Sequence, residues 1–392
     1  MRSSGAGRRF RGHASRAGGV PERAVDPLGS AGQSGGIGQC HPAASPGAGA
    51  SAGSGRRRFA TDGGTFFTGR PCQTLSRCVP RGPGVNEADF VVVCVVTWNG
   101  GEVALHCLES VVAQTYPNFC TVVVDNDSFP ADREALRTWS VAHPDVEIVW
   151  NSANVGFAAA ANQGLEYART QGAPWMLLVT QDTVLEPDAL NHLVDAVRGP
   201  ERIAIAGPVV VDRGTGQVLS LGERTSPWLL AFPRRLVRYR RADSPYRLVT
   251  GLVGCCLLLA TELVHALGGF REELFAYYEE VDLCLRVRAA GYRIAIVPAS
   301  CVYHDGWRGY LAGATPTSAL LKARNLLLVS REHLRPWHWV VVGPSMTGLF
   351  LATMLGFVLR RQWRLFGALC RGIWMGVRGH GGKPRLPCSE CE

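Results

Sequence analysis

The chain has 392 residues, 46% of them apolar and 19% charged, with a formal charge of +9. That length accommodates one large catalytic domain or two ordinary ones, and the composition excludes both wholesale disorder and a polytopic membrane protein. The charge is unevenly placed. Residues 1–85 hold 12 arginines against 3 acids and carry the whole excess, residues 86–330 are acidic (20 bases, 26 acids), and residues 331–392 are basic (9 against 3).

Residues 1–85 contain 19 of the 46 glycines and no apolar periodicity. Such a segment cannot bury enough surface to offset its chain entropy and is expected to be disordered. It also lacks the apolar run of a secretory signal peptide. A later start near residue 85 would need a non-Met codon, because the next methionine is Met176. The 13 cysteines are odd in number and mostly sit in apolar runs (Cys94, Cys255, Cys256, Cys284), as reduced thiols of a cytosolic protein do. Cys388 and Cys391 have a metal-like spacing but no second pair, and are read as incidental.

Order is expected from Phe90. Residues 90–97 (FVVVCVVT) form an unbroken β-branched run, as in a strand buried on both faces. An amphipathic helix follows through Leu105, Leu108, Val111 and Val112. Strands are predicted at 120–124, 146–150, 175–180 and 203–211, with helices at 133–141, 158–168 and 189–197 between them. This alternation implies an α/β sandwich with a mainly parallel sheet, whose ligand site lies past the strand C-termini. Those positions read Thr97-Trp98-Asn99-Gly100, Asp125-Asn126-Asp127-Ser128, Asn151 with Asn154-Val155-Gly156, and Thr180-Gln181-Asp182. Asn, Asp and Ser are also ordinary turn formers and helix caps, which accounts for any one turn better than for four in succession.

Residues 250–305 carry further chemistry. A buried run at 255–259 leads through a helix to Gly268-Gly269-Phe270, then to Tyr277-Tyr278-Glu279-Glu280-Val281-Asp282. Three acids crowd this helix N-terminus, where the macrodipole favours negative charge. One acid would satisfy simple capping, so one of the three is a candidate proton acceptor. A strand at 294–297 leads to His304, either a metal ligand or a satisfied surface residue.

Together VVTWNG, VVVDNDS, NVGFAAAANQG, LLVTQDTVL, LGGFREELFAYYEEVDLCLRVRAAGY and VYHDG resemble the family 2 glycosyltransferases, in particular bacterial rhamnosyltransferase-like members, over about residues 88–335. The resemblance implies a GT-A fold, a nucleotide-diphosphate sugar donor (UDP- or dTDP-linked), a divalent cation (Mg2+ or Mn2+) and inversion at the anomeric centre. Thr97, Trp98 and Asn99 match the motif that shapes the nucleotide pocket, and Asp125 the acid that accepts from the pyrimidine ring. Asn154, Gly156 and Asn162 match the motif along the ribose and diphosphate, with Gln181 beside them. Asp182 and His304 match metal ligands. Glu280 occupies the catalytic-base position, with Glu279 and Asp282 as alternates. Two departures stand out. Thr180-Gln181-Asp182 lacks the first carboxylate of the family's metal motif, and the base is Glu where relatives have Asp. Arg324-Asn325 resembles an Arg-Asn pair common in the family.

A basic loop (Arg234, Arg235, Arg238, Arg240, Arg241, Arg247) is either solvated surface or a phosphate contact. Trp339–Leu359 is 21 residues without charge, long enough to cross a bilayer, yet basic residues flank both ends. Next, Arg360, Arg364, Arg371 and Arg378 share one helical face and Trp363, Phe366, Cys370, Ile373 and Val377 the opposite one, as in an interfacial helix on an anionic membrane. The expected organisation is a disordered tail (1–85), a GT-A domain (86–335), a membrane-associated segment (336–380) and a second disordered tail (381–392). The expected enzyme works at the cytoplasmic face of the membrane on a polysaccharide or lipid-linked acceptor, with no nucleic-acid partner. The alternative is a nucleotide-sugar-binding scaffold impaired in catalysis.

Overall fold

Strand β1 (Val91–Thr97) is buried along its whole length, which explains its β-branched composition. Its side chains alternate between two cores: Val92, Cys94 and Val96 on one face, Val91, Val93 and Val95 on the other. Burial of each such side chain contributes roughly 1.5–3 kcal/mol. The computed structural model describes residues 89–199, 201–226, 228, 244–304 and 314–384, with the backbone of Arg234 and Arg235. The tail 1–85, Arg238, Arg240, Arg241, Cys388 and Cys391 lie outside the described residues. The described residues belong to one unit, Cys72–Glu392.

After β1 come α1 (Gly101–Val112), β2 (Phe119–Asp125), α2 (Pro130–Ala142), β3 (Val146–Trp150), α3 (Phe157–Thr170), β4 (Trp175–Thr180), β5 (Thr183–Leu185), α4 (Ala189–Val197) and β6 (Ile203–Asp212). Then follow β7 (Val218–Ser220), β8 (Glu223–Arg224), β9 (Arg234–Arg235), β10 (Arg247–Val249), β11 (Cys256–Ala260), α5 (Thr261–Ala266), α6 (Glu279–Ala289) and β12 (Arg293–His304). Three helices close the described chain: α7 (Pro316–His333), α8 (Trp339–Leu359) and α9 (Trp363–Arg378).

The main sheet runs β10-β12-β6-β11-β4-β1-β2-β3, with β5 on β12 and β7 on β6. Strands β3, β2, β1 and β4 are parallel neighbours, as their helical crossovers require. Strand β11 enters antiparallel to both β4 and β6. Its apolar run reads like its parallel neighbours because it too is covered on both faces. Strand β12 is longer than the predicted 294–297, continuing past an irregularity between Val297 and Cys301 to reach His304. Cys94, Cys255, Cys256 and Cys284 are buried free thiols, and burial pushes those of Cys94 and Cys284 up to about 12.

Helix α7 leads the C-terminal helices onto this body. Leu326, Leu327 and Val329 pack with Leu274, Val281 and Leu285, and with Val342 and Met346 of α8. Helix α9 lies on α7 through Gly372 and Gly376, where a Cβ would collide with the α7 backbone. Its expected apolar stripe therefore divides: Phe366 and Ile373 pack inward, whereas Trp363 and Val377 are exposed. Pro336–Leu359 is one stretch long and apolar enough to cross a membrane by length and composition, and Val340, Leu351, Leu355 and Leu359 on it are exposed. Residues 381–384, expected to start a disordered tail, are held against the domain. Gly382 N donates to Glu273 O at 2.6 Å, and Lys383 Nζ to Asn154 O at 3.1 Å.

Candidate active site

The sheet register places the C-terminal ends of β1, β2 and β4 side by side, with Thr97 opposite Asp125 and Val96 opposite Thr180. Gln181 ties the ends of β1 and β4. Its Oε1 accepts from the Thr97 hydroxyl at 2.9 Å and from the Trp98 amide at 2.7 Å, while its Nε2 donates to Trp98 O at 3.1 Å. Gln181, the middle residue of Thr180-Gln181-Asp182, is thus a brace for the Trp98 turn. The Trp98 ring is exposed, and Asn99 takes a left-handed φ of 51° while its side chain accepts from Phe129 N.

Asp125 is almost fully buried. Arg133 Nε donates to its Oδ2 at 2.6 Å, and Oδ1 has no hydrogen-bond partner among the described residues. Arg133 also bonds Asn151 O. Beyond it lies an amide network: Asn151 exchanges bonds with Gln163 and donates to Asn126 Oδ1, and Asn126 donates to Asn154 Oδ1. Asn154 Oδ1 in turn accepts from Gly156 N at 2.9 Å. Sequence reasoning named Asn154 but gave no role to Asn126 or Gln163. The run of Asn and Gln at successive strand ends was the available signal.

Two residues of the expected ribose–diphosphate motif have protein partners. Asn162 does not face the strand ends. Its Oδ1 accepts from Phe270 N at 2.8 Å and its Nδ2 donates to Phe270 O at 2.9 Å, so the side chain braces the turn after α5. Gly156 is required, at φ 93°, by a protein neighbour: a Cβ there would lie 2.5 Å from Phe275 Cδ2 and 2.7 Å from Phe275 O. The 273–278 loop thus passes directly over Gly156.

Antiparallel pairing of β5 with β12 sets His304 opposite Thr183 and so beside Asp182. His304 Nε2 lies 3.4 Å from Asp182 Oδ2, and the Thr180 hydroxyl holds Asp182 Oδ1 at 2.5 Å. His304 Nδ1 is buried without a hydrogen-bond partner. A carboxylate oxygen and an imidazole nitrogen fit a divalent cation that completes its shell with phosphate oxygens and water. Among the described residues no third His, Cys, Asp or Glu joins them.

The three acids of α6 have different surroundings. Asp282 is fully buried and bonded to Arg286 Nε (2.7 Å), Arg271 Nη1 (3.2 Å) and His333 Nε2 (2.8 Å). Burial would raise its pKa, but the His333 hydrogen bond and the charges of Arg286 and Arg271 outweigh this and hold it below the usual range. Asp282 is therefore the centre of an ion cluster and not available as a base. Burial pushes the Glu279 carboxyl well up, reinforced by the charge of Glu280. Glu279 Oε2 is buried without a hydrogen-bond partner, as suits a protonated acid. Glu280 is half-buried and packs against Gly254, where a Cβ would lie 3.3 Å from both its Cβ and Cγ. Tyr277 sits on the loop before this helix, at a left-handed φ of 70°. Its phenol is raised by partial burial, then by the charges of Glu279 and Asp182.

Residues 92–268 match the family model described as glycosyl transferase family 2, a segment that ends before Glu279, Glu280 and His304. The chain is 26% identical over 286 residues to the N-acetylglucosaminyl-diphospho-decaprenol L-rhamnosyltransferase of Mycobacterium tuberculosis, covering 65% of this chain and 90% of that protein. It is 23% identical over 215 residues to the dTDP-rhamnosyl transferase RfbF of Shigella flexneri, covering 55% and 68%. Among solved structures, GalNAc-T7 with UDP, GalNAc and Mn2+ aligns with a TM-score of 0.50 at 15% identity. That alignment covers 62% of this chain and about half (47%) of the other, and it is a likeness of fold.

Proposed function

We propose that the chain, which matches the glycosyl transferase family 2 model over residues 92–268, moves a sugar, with inversion, from a pyrimidine nucleotide-diphosphate donor to a hydroxyl of a glycan or lipid-linked acceptor. The observation that carries this reading is the seating of Glu280 on Gly254, next to Cys255, whose carbonyl accepts from Thr180 N at the strand end that bears the Asp182–His304 pair. Asp125 Oδ1 is a buried acceptor for the imide N–H of uracil or thymine, and Gln181 sets the Trp98 turn beside it. Asp182 and His304 would hold a divalent cation, which when bound neutralises charge gathering on the leaving diphosphate. Glu280 takes the proton of the acceptor hydroxyl as that oxygen attacks the anomeric carbon. The sugar–oxygen bond opposite breaks, its electron pair leaves with the nucleoside diphosphate, and the proton remains on Glu280. Burial and the neighbouring charge raise the Glu279 carboxyl, and Glu280 is the less buried of the two acids.

The exposed apolar residues of α8 and the flanking Arg360, Arg361 and Arg364 support docking on an anionic membrane at its cytoplasmic face. That setting suits a lipid-linked acceptor. A thermal-shift screen of nucleotide sugars with Mn2+ or Mg2+ tests the donor reading, since a ligand bound only by the folded state raises Tm. The expected result is a cation-dependent shift with UDP- or dTDP-sugars and none with purine donors; a shift confined to purine donors would contradict the assignment of Asp125.

A further inference from the structure

The loop that delivers Glu279 and Glu280 is an unusual piece of backbone. Phe275, Tyr277 and Tyr278 all have left-handed φ values, of 64°, 70° and 72°, although none is glycine. Side-chain-bearing residues adopt that region at a cost, so surrounding structure must impose it. On one side, Phe275 O accepts from Ala158 N at the start of α3, and the Phe275 ring covers Gly156. On the other side stands a pair from α7, Arg324 and Asn325, both fully buried. Asn325 Nδ2 lies 2.8 Å from Leu274 O, Ala276 O and Tyr277 O, so its two protons serve three carbonyls of the loop. Arg324 Nη2 donates to Leu274 O at 2.9 Å and to Glu273 O at 3.3 Å, and its Nε to Asn325 Oδ1 at 2.9 Å. The remaining arm, Nη1, donates to Gly382 O at 2.5 Å.

Among the described residues, no carboxylate lies within ion-pair distance of this guanidinium, and burial lowers its pKa to about 10. An arginine buried among carbonyls is a costly way to stabilise a fold. It is an effective way to fix several carbonyl positions at once, because its planar fork holds them in set directions. The segment after α9 completes the arrangement. Gly382 N bonds Glu273 O, and a Cβ at Gly381 would lie 2.7 Å from Glu273 Cβ.

We propose that Arg324 and Asn325 are positioning residues for the transfer reaction, clamping residues 273–278 between α3 and the segment after α9 so that the Glu279–Glu280 pair is set at the sheet edge. The proposal rests on Glu280 being the base. It makes the C-terminal helices part of the catalytic apparatus, because α7 and the strand of chain after α9 hold the loop together.

The test uses the full chain in detergent or nanodiscs, with Asn325→Ala and, as a milder change, Arg324→Lys. The measurements are kcat for release of nucleoside diphosphate from the best donor, the affinity for UDP or dTDP with Mn2+, and the pH dependence of kcat. A displacement of a reacting group by about 1 Å can cost on the order of a hundredfold in rate. The expected result for Asn325→Ala is a loss of kcat of about that size, with nucleotide affinity within about twofold of wild type, because that pocket is built by β1 and β2. Arg324→Lys is expected to fall between the two, and the acid limb of its pH profile to move toward the ordinary carboxylate range as the pair relaxes. Unchanged kcat and pH profile in both variants, or a parallel fall of kcat and nucleotide affinity in Arg324→Lys, would overturn the clamp. If wild type turns over no donor, or Glu280→Gln turns over as fast as wild type, it is the proposed function that fails.

Discussion

Arg133 Nε holds Asp125 Oδ2 at 2.6 Å and leaves Oδ1 of the same carboxylate buried without a partner among the described residues. A buried acceptor in that state is stabilised when a ligand donates to it, and a hydrogen bond to a charged group contributes about 1.5–3 kcal/mol. Replacing Asp125 by Asn removes the charge and aims either an amide donor or a weaker acceptor at the base. Affinity for UDP or dTDP is expected to fall roughly tenfold to a hundredfold in calorimetric titration. Unchanged affinity would remove Asp125 from the base site.

The pairing of Asp182 with His304 predicts an ordered response to cation. With these two protein ligands among the described residues, loss of either is expected to weaken cation binding by roughly tenfold or more. In His304→Ala the Mn2+ concentration for half-maximal activity should rise, and Asp182→Ala should show no cation-stimulated turnover at all. Titration of activity against Mn2+ checks both. Equal cation dependence in wild type and His304→Ala would place the cation elsewhere.

Glu279 makes a stability prediction with a definite sign. Its pKa is raised on folding by burial and by Glu280, so the native state binds its proton more tightly than the unfolded chain does. That contribution is fully present below the unfolded carboxylate pKa and is lost as pH rises through the folded value. Glu279→Gln keeps the shape without the titration. Its Tm should decline less than that of wild type between mildly acidic and alkaline pH, as followed by scanning calorimetry. Asp282, held low by His333, Arg286 and Arg271, acts in the opposite sense in both proteins and cancels in the comparison.

The apolar face of α8 predicts lipid binding that can be removed without touching the fold. Leu351 and Leu355 are 60% and 58% exposed, so glutamate at both positions removes little packing. The double variant should no longer sediment with anionic vesicles while keeping its Tm. Sedimentation equal to wild type would assign the membrane contact to another surface.

Much of this arrangement was legible in the chain itself. The run of Val91 to Thr97 announced a strand covered on both faces, and the charge-free stretch Trp339–Leu359 forms a helix with those same limits. The polar ends of β1, β2 and β4 could be expected together because parallel strands bring their C-termini to one edge. Side-chain direction was less accessible. Asn162 turns to Phe270, 108 positions away, and Asp282 to His333, 51 positions away; no local pattern encodes such partners. Gln181 was expected beside the ribose–diphosphate motif, and only its bonds to Trp98 make it a brace between two strand ends. The antiparallel entry of β11 was hidden for a related reason, since a fully covered strand has the same composition in either direction.

The most direct measurement compares wild type, Glu280→Gln and Glu279→Gln for release of nucleoside diphosphate from a UDP- or dTDP-sugar with Mn2+, alongside donor affinity. Removing a general base typically costs about a hundredfold or more. That loss is expected in Glu280→Gln with donor affinity retained, and a much smaller one in Glu279→Gln. Donor binding without turnover in wild type, or full turnover by Glu280→Gln, would contradict the assignment of Glu280 as the base.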